Sequence, residues 1–291
     1  MIIKKNLWGI VIWYNPTSDN VLKMKTYMSE IDRLIIIDNS STDNSHLLSE
    51  EFSTPVIYIP NMDNKGIATA LNQGCRRAIE GGAEWVLTMD QDSWFSEGDL
   101  SEMITKANKY QHFNEVAIFA PMPHYSNNRK NEKNIDHREY IETTKLITSG
   151  NLLSLSAYKH IKPFCDDLFI DMVDYEFCFR ATRLYYKLIT ITSVSMNHCL
   201  GDGSYNIRIL WIKKVVDDHN PVRRYYIARN TLYVRDLYPE HAKWLSQYFR
   251  RQFKRILLYD HRNKWKKLRY MIKGVVDYRH GIKGRIDLRN K

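Results

Sequence analysis

Long apolar runs are missing from this 291-residue chain. None approaches the roughly 20 residues that a bilayer-spanning helix needs, and the opening Met-Ile-Ile-Lys-Lys-Asn lacks the apolar stretch of a secretory signal. The expectation is therefore an intracellular, cytoplasmic protein with no transmembrane segment. Cysteine is scarce as well. Cys75, Cys165, Cys178 and Cys199 are scattered and form no C-x-x-C pair, which sets aside a disulfide scaffold and leaves buried or idle thiols as the reading. Repeats and low-complexity tracts are absent.

Acidic residues run short only at one end. Residues 206–291 hold 23 Lys+Arg against 7 Asp+Glu, a net of +16, so a whole-chain charge of +10 leaves residues 1–205 at −6. This asymmetry predicts two domains: an acidic 1–205 and a basic, aromatic-rich helical 206–291.

In the first 120 residues apolar runs alternate with helical patterns. Leu7 to Tyr14, Arg33 to Asp38, Pro55 to Pro60, Glu84 to Met89 and Val116 to Pro121 read as strands. Ile67, Leu71, Cys75 and Ile79 recur every four residues along Lys65 to Glu80, an amphipathic crossover helix. Such alternation predicts an α/β fold with a mixed, largely parallel sheet flanked by helices. Polar Pro123 to Glu142 is expected to be a mobile loop. Ile170 to Leu184 has helical spacing, Lys187 to Val194 is strand-like, and the tail from about 206 reads as several amphipathic helices.

Two carboxylate clusters carry the chemistry. Asp90-Gln91-Asp92-Ser93 ends an apolar run, and acids at the carboxyl end of a strand can hold Mg2+ or Mn2+ with positions open to substrate phosphates. The alternative is a turn that caps a helix starting near Glu97. In the second cluster Asp171 and Asp174 stand three apart, as on one helix face, while Glu176 is spaced to pair with Arg180. That singles out Asp174 as a carboxylate able to take a proton, against the alternative of acids that complement a helix dipole. His198, followed by Gly201 and Gly203, is a metal-ligand candidate on a flexible loop or a structural histidine.

The ordered segments resemble the family 2 glycosyltransferases, and within them the rhamnosyltransferase-like branch. The matching stretches are Val11-Ile-Trp-Tyr-Asn-Pro16, Ile36-Ile-Asp-Asn-Ser40, Asn64-Lys-Gly-Ile-Ala-Thr-Ala-Leu-Asn72, Met89-Asp-Gln-Asp-Ser93 and Thr148-Ser-Gly-Asn151. They continue with Leu168-Phe-Ile-Asp-Met-Val-Asp-Tyr-Glu-Phe177 with Arg180, His198-Cys-Leu-Gly201 and Arg224-Tyr-Tyr-Ile-Ala-Arg-Asn230. Met89 stands where much of the branch has Phe, and Asp166-Asp167 where Asp-Glu is common.

The resemblance implies a GT-A fold and an inverting, metal-dependent transfer from a nucleotide-sugar, most simply rhamnose from dTDP-rhamnose, to a lipid-linked saccharide of a cell-surface polysaccharide. It assigns Asp174 as general base and Asp92 and His198 as metal ligands, with Asp90 at the metal or ribose. It assigns donor binding to Tyr14, Asn15, Asp38, Lys65 and Gly66, and loosely to Arg223, Arg224 and Arg229 as diphosphate cations. A UDP-hexose or galactofuranose donor, or a non-catalytic nucleotide-sugar or glycan-binding module, would use the same motifs.

Arg250 to Tyr259 and Trp265 to Lys273 interleave cations with apolar and aromatic residues, as suits a peripheral helix on the inner face of the cell membrane. A homo-oligomer interface or a solvated cap has the same composition. Nucleic acid is not expected, because the half with the chemistry is acidic.

Overall fold

Leu7 to Trp13 is apolar at nearly every position, and in the computed structural model it forms strand β1 (Leu7–Trp13), buried along its whole length. The structure describes residues 1–48, 52–125, 138–198, 204–209, 212–217, 219–260 and 262–286. By packing these fall into two units, Met1–Phe164 with Phe177–Cys199, and Cys165–Glu176 with Leu200–Lys291.

The first unit is built on a nine-stranded sheet. After β1 come α1 (Ser18–Met28), β2 (Arg33–Asp38), β3 (Val56–Pro60), α2 (Ile67–Glu80), β4 (Trp85–Asp90), β5 (Ser93–Phe95) and α3 (Asp99–Lys109). They are followed by β6 (Val116–Tyr125), β7 (Tyr140–Glu142), β8 (Asn151–Ser154), α4 (Leu155–Ile161), α5 (Val173–Arg183) and β9 (Lys187–His198). The first turn of α5 belongs to the second unit and the remainder to the first. Strand order is β3-β2-β1-β4-β8-β6-β9-β5, with β7 also on β9. The β3-β2-β1-β4 half is parallel, while β8 runs antiparallel to β4 and β6. The core of this unit collects Leu7, Val11 and Trp13 of β1 with Leu34 and Ile36 of β2, Leu87 and Met89 of β4, and the inward face of α1.

Ordered strand replaces both ends of the stretch expected as a mobile loop. β6 continues to Tyr125, and its pairing with β9 shifts register between Pro121 and Met122, an irregularity of the kind that tolerates proline. Tyr140 in β7 packs against Tyr110 with ring centroids 5.1 Å apart. The middle of the stretch, residues 126–137, lies outside the described residues.

The tail also departs from expectation, because it begins with strands. β10 (Ser204–Ile209) and β11 (Ile212–Asp217) pair antiparallel, in keeping with β-branched residues at Ile207, Ile209, Ile212, Val215 and Val216. The expected helices follow: α6 (Pro221–Leu237), α7 (Ala242–Leu258) and α8 (Lys264–Arg279). Asn220 caps α6 by accepting the Arg223 N–H at 2.9 Å, with Pro221 in the first turn. Helices α6 and α8 approach closely at Gly274, where a Cβ would lie 2.4 Å from the Tyr225 carbonyl oxygen.

Candidate functional site

The chain builds β1, β2 and β3 outward, then returns to place β4 on the other side of β1. Ligands of open α/β sheets bind beyond the carboxyl ends of the strands at such a reversal. The register sets Trp13 opposite Asp38 and Ile12 opposite Asp90, so Asp38, Tyr14–Asn15 and Asp90 emerge from three adjacent strand ends.

Asp38 is fully buried and its carboxylate is supplied with donors from within the chain. Oδ1 accepts from the Ser40 N–H at 2.9 Å and the Ser40 hydroxyl at 2.5 Å, and Oδ2 from Asn44 Nδ2 and the Tyr58 hydroxyl, each at 2.8 Å. Four donors fill the acceptor capacity of a carboxylate. Asp38, expected at the base or ribose of a nucleotide, holds the loop from Ser40 to Asn44 through these bonds. Ser40 Oγ in turn accepts the N–H of Asn15 at 2.7 Å, holding Asn15 at φ 49°.

Gln91 ties the two strand ends together. Its Oε1 accepts the Tyr14 N–H at 2.7 Å, its Nε2 donates to the Tyr14 carbonyl at 3.2 Å, and its own carbonyl accepts from Asn20 Nδ2 at 2.9 Å. Tyr14 is thereby fixed by its backbone while its side chain stays 50% exposed. Asp90 is anchored from the other side, its N–H donating to Ser149 Oγ at 3.0 Å. Gly66, at φ 86° before the first turn of α2, adopts a backbone conformation suited to glycine, and exposed Lys65 precedes it.

Asp90, Asp92 and His198 come together: one ligand atom from each lies within 4.8 Å of the others. Pairing of β5 with β9 puts Ser93 opposite His198, and Ser93 Oγ is hydrogen-bonded to His198 Nδ1 at 2.7 Å. A hydrogen bond on one ring nitrogen fixes the tautomer and ring orientation of a metal-binding histidine. Two carboxylates and one imidazole form a donor set suited to a divalent cation with coordination positions open to phosphate oxygens, so the residues fit the expected metal. His198 ends a strand; Cys199, Gly201 and Gly203, which were expected to form a flexible loop after it, lie outside the described residues.

Within the second unit the acidic motif differs from the helical reading. Asp171 stands before α5, not on its face, and Phe169, Asp171 and Met172 have φ values of 65°, 62° and 67°. That left-handed run is held by α6: Asn230 Nδ2 donates to the carbonyls of Leu168, Ile170 and Asp171 at 2.7, 2.7 and 3.0 Å. Half-buried Asp174 lies in the first turn of α5, and its Oδ1 accepts the Tyr175 N–H at 2.9 Å. Tyr175, Trp244 and Tyr248 form an aromatic row, with centroids 5.3 and 5.6 Å apart. Burial raises the Tyr248 phenol pKa, and the nearby Asp171 and Asp174 carboxylates raise it further. Glu176 accepts from the Tyr238 hydroxyl at 2.7 Å. In the first unit Arg180, its expected partner, donates to the carbonyls of Ile161, Lys162 and Pro163 at 3.1, 3.2 and 2.9 Å.

The three arginines assigned to a diphosphate have separate situations. Arg223 pairs with Asp171 at 3.2 Å. Arg224 is fully buried and donates to Gln252 Oε1 at 2.7 Å. Arg229 is fully buried too, donating to the carbonyls of Gly284 at 2.7 Å and Asp167 at 3.2 Å, so it serves the same acidic segment that Asn230 holds.

Gln91, Ser40, Ser93 and Ser149 were not singled out as site residues, although all lie inside the matching motifs. The row Tyr175, Trp244, Tyr248 has no local sequence signal, because its members meet only through packing.

The family model described as Glycosyl transferase family 2 matches residues 16–171. The dTDP-rhamnosyl transferase RfbF of Shigella flexneri is 29% identical over 247 residues, 78% of this chain and 79% of that protein. Among solved structures, S. aureus TarS residues 1–349 in complex with UDP-GlcNAc superposes with a TM-score of 0.60 at 13% identity, over 95% of this chain and 81% of that one. GalNAc-T7 with UDP, GalNAc and Mn2+ gives a TM-score of 0.53 at 9% identity, over 67% of this chain and 44% of that one. These likenesses bear out the GT-A fold expected from the sequence.

Proposed function

Because the chain belongs to glycosyl transferase family 2, we propose that it is an inverting, metal-dependent glycosyltransferase acting on a lipid-linked saccharide in cell-surface polysaccharide assembly. The observation that carries this reading is the convergence of Asp90, Asp92 and His198 beyond the strand ends where α/β sheets take nucleotides. Likeness to a dTDP-rhamnosyl transferase supports dTDP-rhamnose as donor. A UDP-sugar is the second reading, supported by the UDP-GlcNAc complex of a structural neighbour.

Asp90, Asp92 and His198 would hold Mg2+ or Mn2+, which supplies Lewis-acid stabilisation of charge on a departing diphosphate. Tyr14, Asn15, Lys65 and Gly66 line the donor side in this reading, with Gln91 fixing the backbone of Tyr14 and Ser40 that of Asn15. Asp174 takes the proton of an acceptor hydroxyl. The hydroxyl oxygen bonds to the anomeric carbon as the bond to the diphosphate oxygen breaks on the opposite face, so the anomeric centre inverts and a nucleoside diphosphate leaves.

Two measurements test the reading. Product anomeric configuration by NMR must be opposite to that of the donor; retention contradicts single displacement with Asp174 as base. Asp174→Asn is expected to keep donor affinity and lose roughly 10²–10⁴-fold in turnover. Near-full transfer by that variant rules out the proposed base.

A further inference from the structure

The segment that follows α8 lies against the stretch that leads into the candidate base. Gly281, at φ 72°, ends the helix. Its N–H donates to the Tyr278 carbonyl at 3.1 Å and the Ile282 N–H to the Asp277 carbonyl at 2.9 Å, the paired bonds of a Schellman cap. The chain then runs back along α6. The Tyr233 hydroxyl donates to the Ile282 carbonyl at 3.2 Å, and further on the Ile286 N–H donates to the Tyr226 hydroxyl at 2.8 Å. The Ile286 side chain is buried in a cluster with Tyr225 and Tyr226.

Between those two anchors the segment meets Asp167. The Gly284 N–H donates to the Asp167 carbonyl at 2.7 Å, and Lys283 Nζ reaches Asp167 Oδ2 at 2.9 Å. Buried Arg229 joins the two stretches, Nη1 donating to the Gly284 carbonyl at 2.7 Å and Nη2 to the Asp167 carbonyl at 3.2 Å. The Lys283 pair is half-exposed at both ends and contributes little. The hold therefore comes from the Gly284 bonds and from Ile286. Phe169 completes it: its ring stacks on Tyr226 with centroids 5.1 Å apart, and Phe169 and Ile170 both pack on the cluster that contains Ile286.

Residues 168–172 set the direction in which α5 begins. Phe169, Asp171 and Met172 are left-handed, and the Met172 carbonyl accepts the Glu176 N–H at 2.9 Å, closing the turn that carries Asp174. Non-glycine residues keep such a conformation only where their surroundings over-determine it. Asn230 supplies one constraint, and Gly284 with Ile286 supplies a second. From this geometry we infer that residues 281–286 are a positioning element for the acceptor step, holding residues 167–170 in the conformation that presents Asp174 to the acceptor hydroxyl. The inference rests on Asp174 as the base. Because every one of these contacts lies within the second unit, loosening the segment is expected to act on turnover and not on nucleotide binding.

Two measurements on the full chain test it. Hydrogen exchange comes first, since it needs no substrate. Ile286→Ala is expected to speed amide exchange across residues 168–176 by about tenfold or more, while residues 33–38 of β2 keep their protection. Turnover comes second, read as dTDP release from dTDP-rhamnose with Mn2+ and a membrane lipid extract. There Ile286→Ala is expected to lower kcat by about tenfold or more and to leave the donor KM within about twofold, and Ile286→Val to recover most of the loss. In an Asp174→Asn background Ile286→Ala is expected to have no further effect, because both act through one carboxylate. A melting curve verifies folding. Should Ile286→Ala fail to fold, Tyr226→Phe, which deletes only the hydroxyl that accepts the Ile286 N–H, supplies the comparisons. Unchanged exchange, unchanged kcat beside a slow Asp174→Asn, or losses that multiply in the double variant would each overturn the inference. Near-full transfer by Asp174→Asn would overturn the base, and this role with it, while the exchange comparison still reports whether the segment is held.

Discussion

Ser93 Oγ and His198 Nδ1 meet at 2.7 Å because β5, only three residues long, pairs antiparallel with the end of β9. The same short strand follows directly on Asp90 and Asp92, so one turn of chain delivers two acids and the group that orients the histidine. Backbone register, not loop flexibility, sets the metal-ligand candidates.

Ser93→Ala removes the hydrogen bond that fixes the imidazole. Mn2+ affinity is expected to fall by roughly 10–100-fold, as for other groups that orient a metal-bound histidine. Electron paramagnetic resonance titration of free Mn2+ reads the change; unaltered affinity would separate His198 from the metal.

Asn230→Ala removes the side-chain amide that donates to three carbonyls of the segment ahead of α5, of which Leu168 keeps the Ile170 N–H. A stability loss of roughly 1–3 kcal/mol is expected by urea unfolding. If the segment positions Asp174, turnover falls by about tenfold or more while nucleotide affinity holds. Loss of stability without any change in turnover would confine Asn230 to a folding role.

His219 gives a stability that depends on pH. Burial holds its folded pKa at about 2, below the ordinary 6.5, so between those values the unfolded chain binds the extra proton and stability falls as pH drops. Below pH 6.5 the loss from this group approaches about 1.4 kcal/mol per unit. Unfolding at pH 7.5 and 5.5 in phosphate-free buffer should therefore show a wild-type drop about 1 kcal/mol larger than that of His219→Asn. Equal drops would place His219 in contact with water.

Trp265, 76% exposed, Leu258, 57% exposed, and Ile272, 53% exposed, stand among the lysines and arginines of α7 and α8. No helix among the described residues is long and apolar enough to cross a membrane. We propose that these side chains enter an anionic lipid surface, where each nearby Lys or Arg contributes roughly 1 kcal/mol. Trp265→Glu with Ile272→Glu is expected to abolish flotation with anionic vesicles, and full retention would remove the membrane from the account. Deleting the helices is a poorer test, because Arg224 is bonded to Gln252 of α7.

The parallel half of the sheet was legible because its strands are continuous apolar runs punctuated by polar turns. Asp90, Asp92 and His198 were legible through their motifs. Asp38 shows the limit: its place at a strand end could be read, but its four donors come from Ser40 and Asn44 of the loop that follows and from Tyr58 of β3. Arg224 and Arg229 look alike in sequence, yet burial turns one into a clamp on carbonyls and leaves the other with an unpartnered fork. Composition marked the tail as helical and missed β10 and β11, since short β-branched segments are weak signals amid many basic residues.

The central claim is metal-dependent glycosyl transfer from a nucleotide-sugar. Its most direct test is nucleoside-diphosphate release from dTDP-rhamnose, with UDP- and GDP-sugars beside it, using a membrane lipid extract as acceptor and either Mn2+ or EDTA. The account predicts release of dTDP that needs both the lipid extract and the metal and that Asp92→Asn abolishes. Release of pyrophosphate, or silence with every donor despite tight nucleotide-sugar binding, would contradict it.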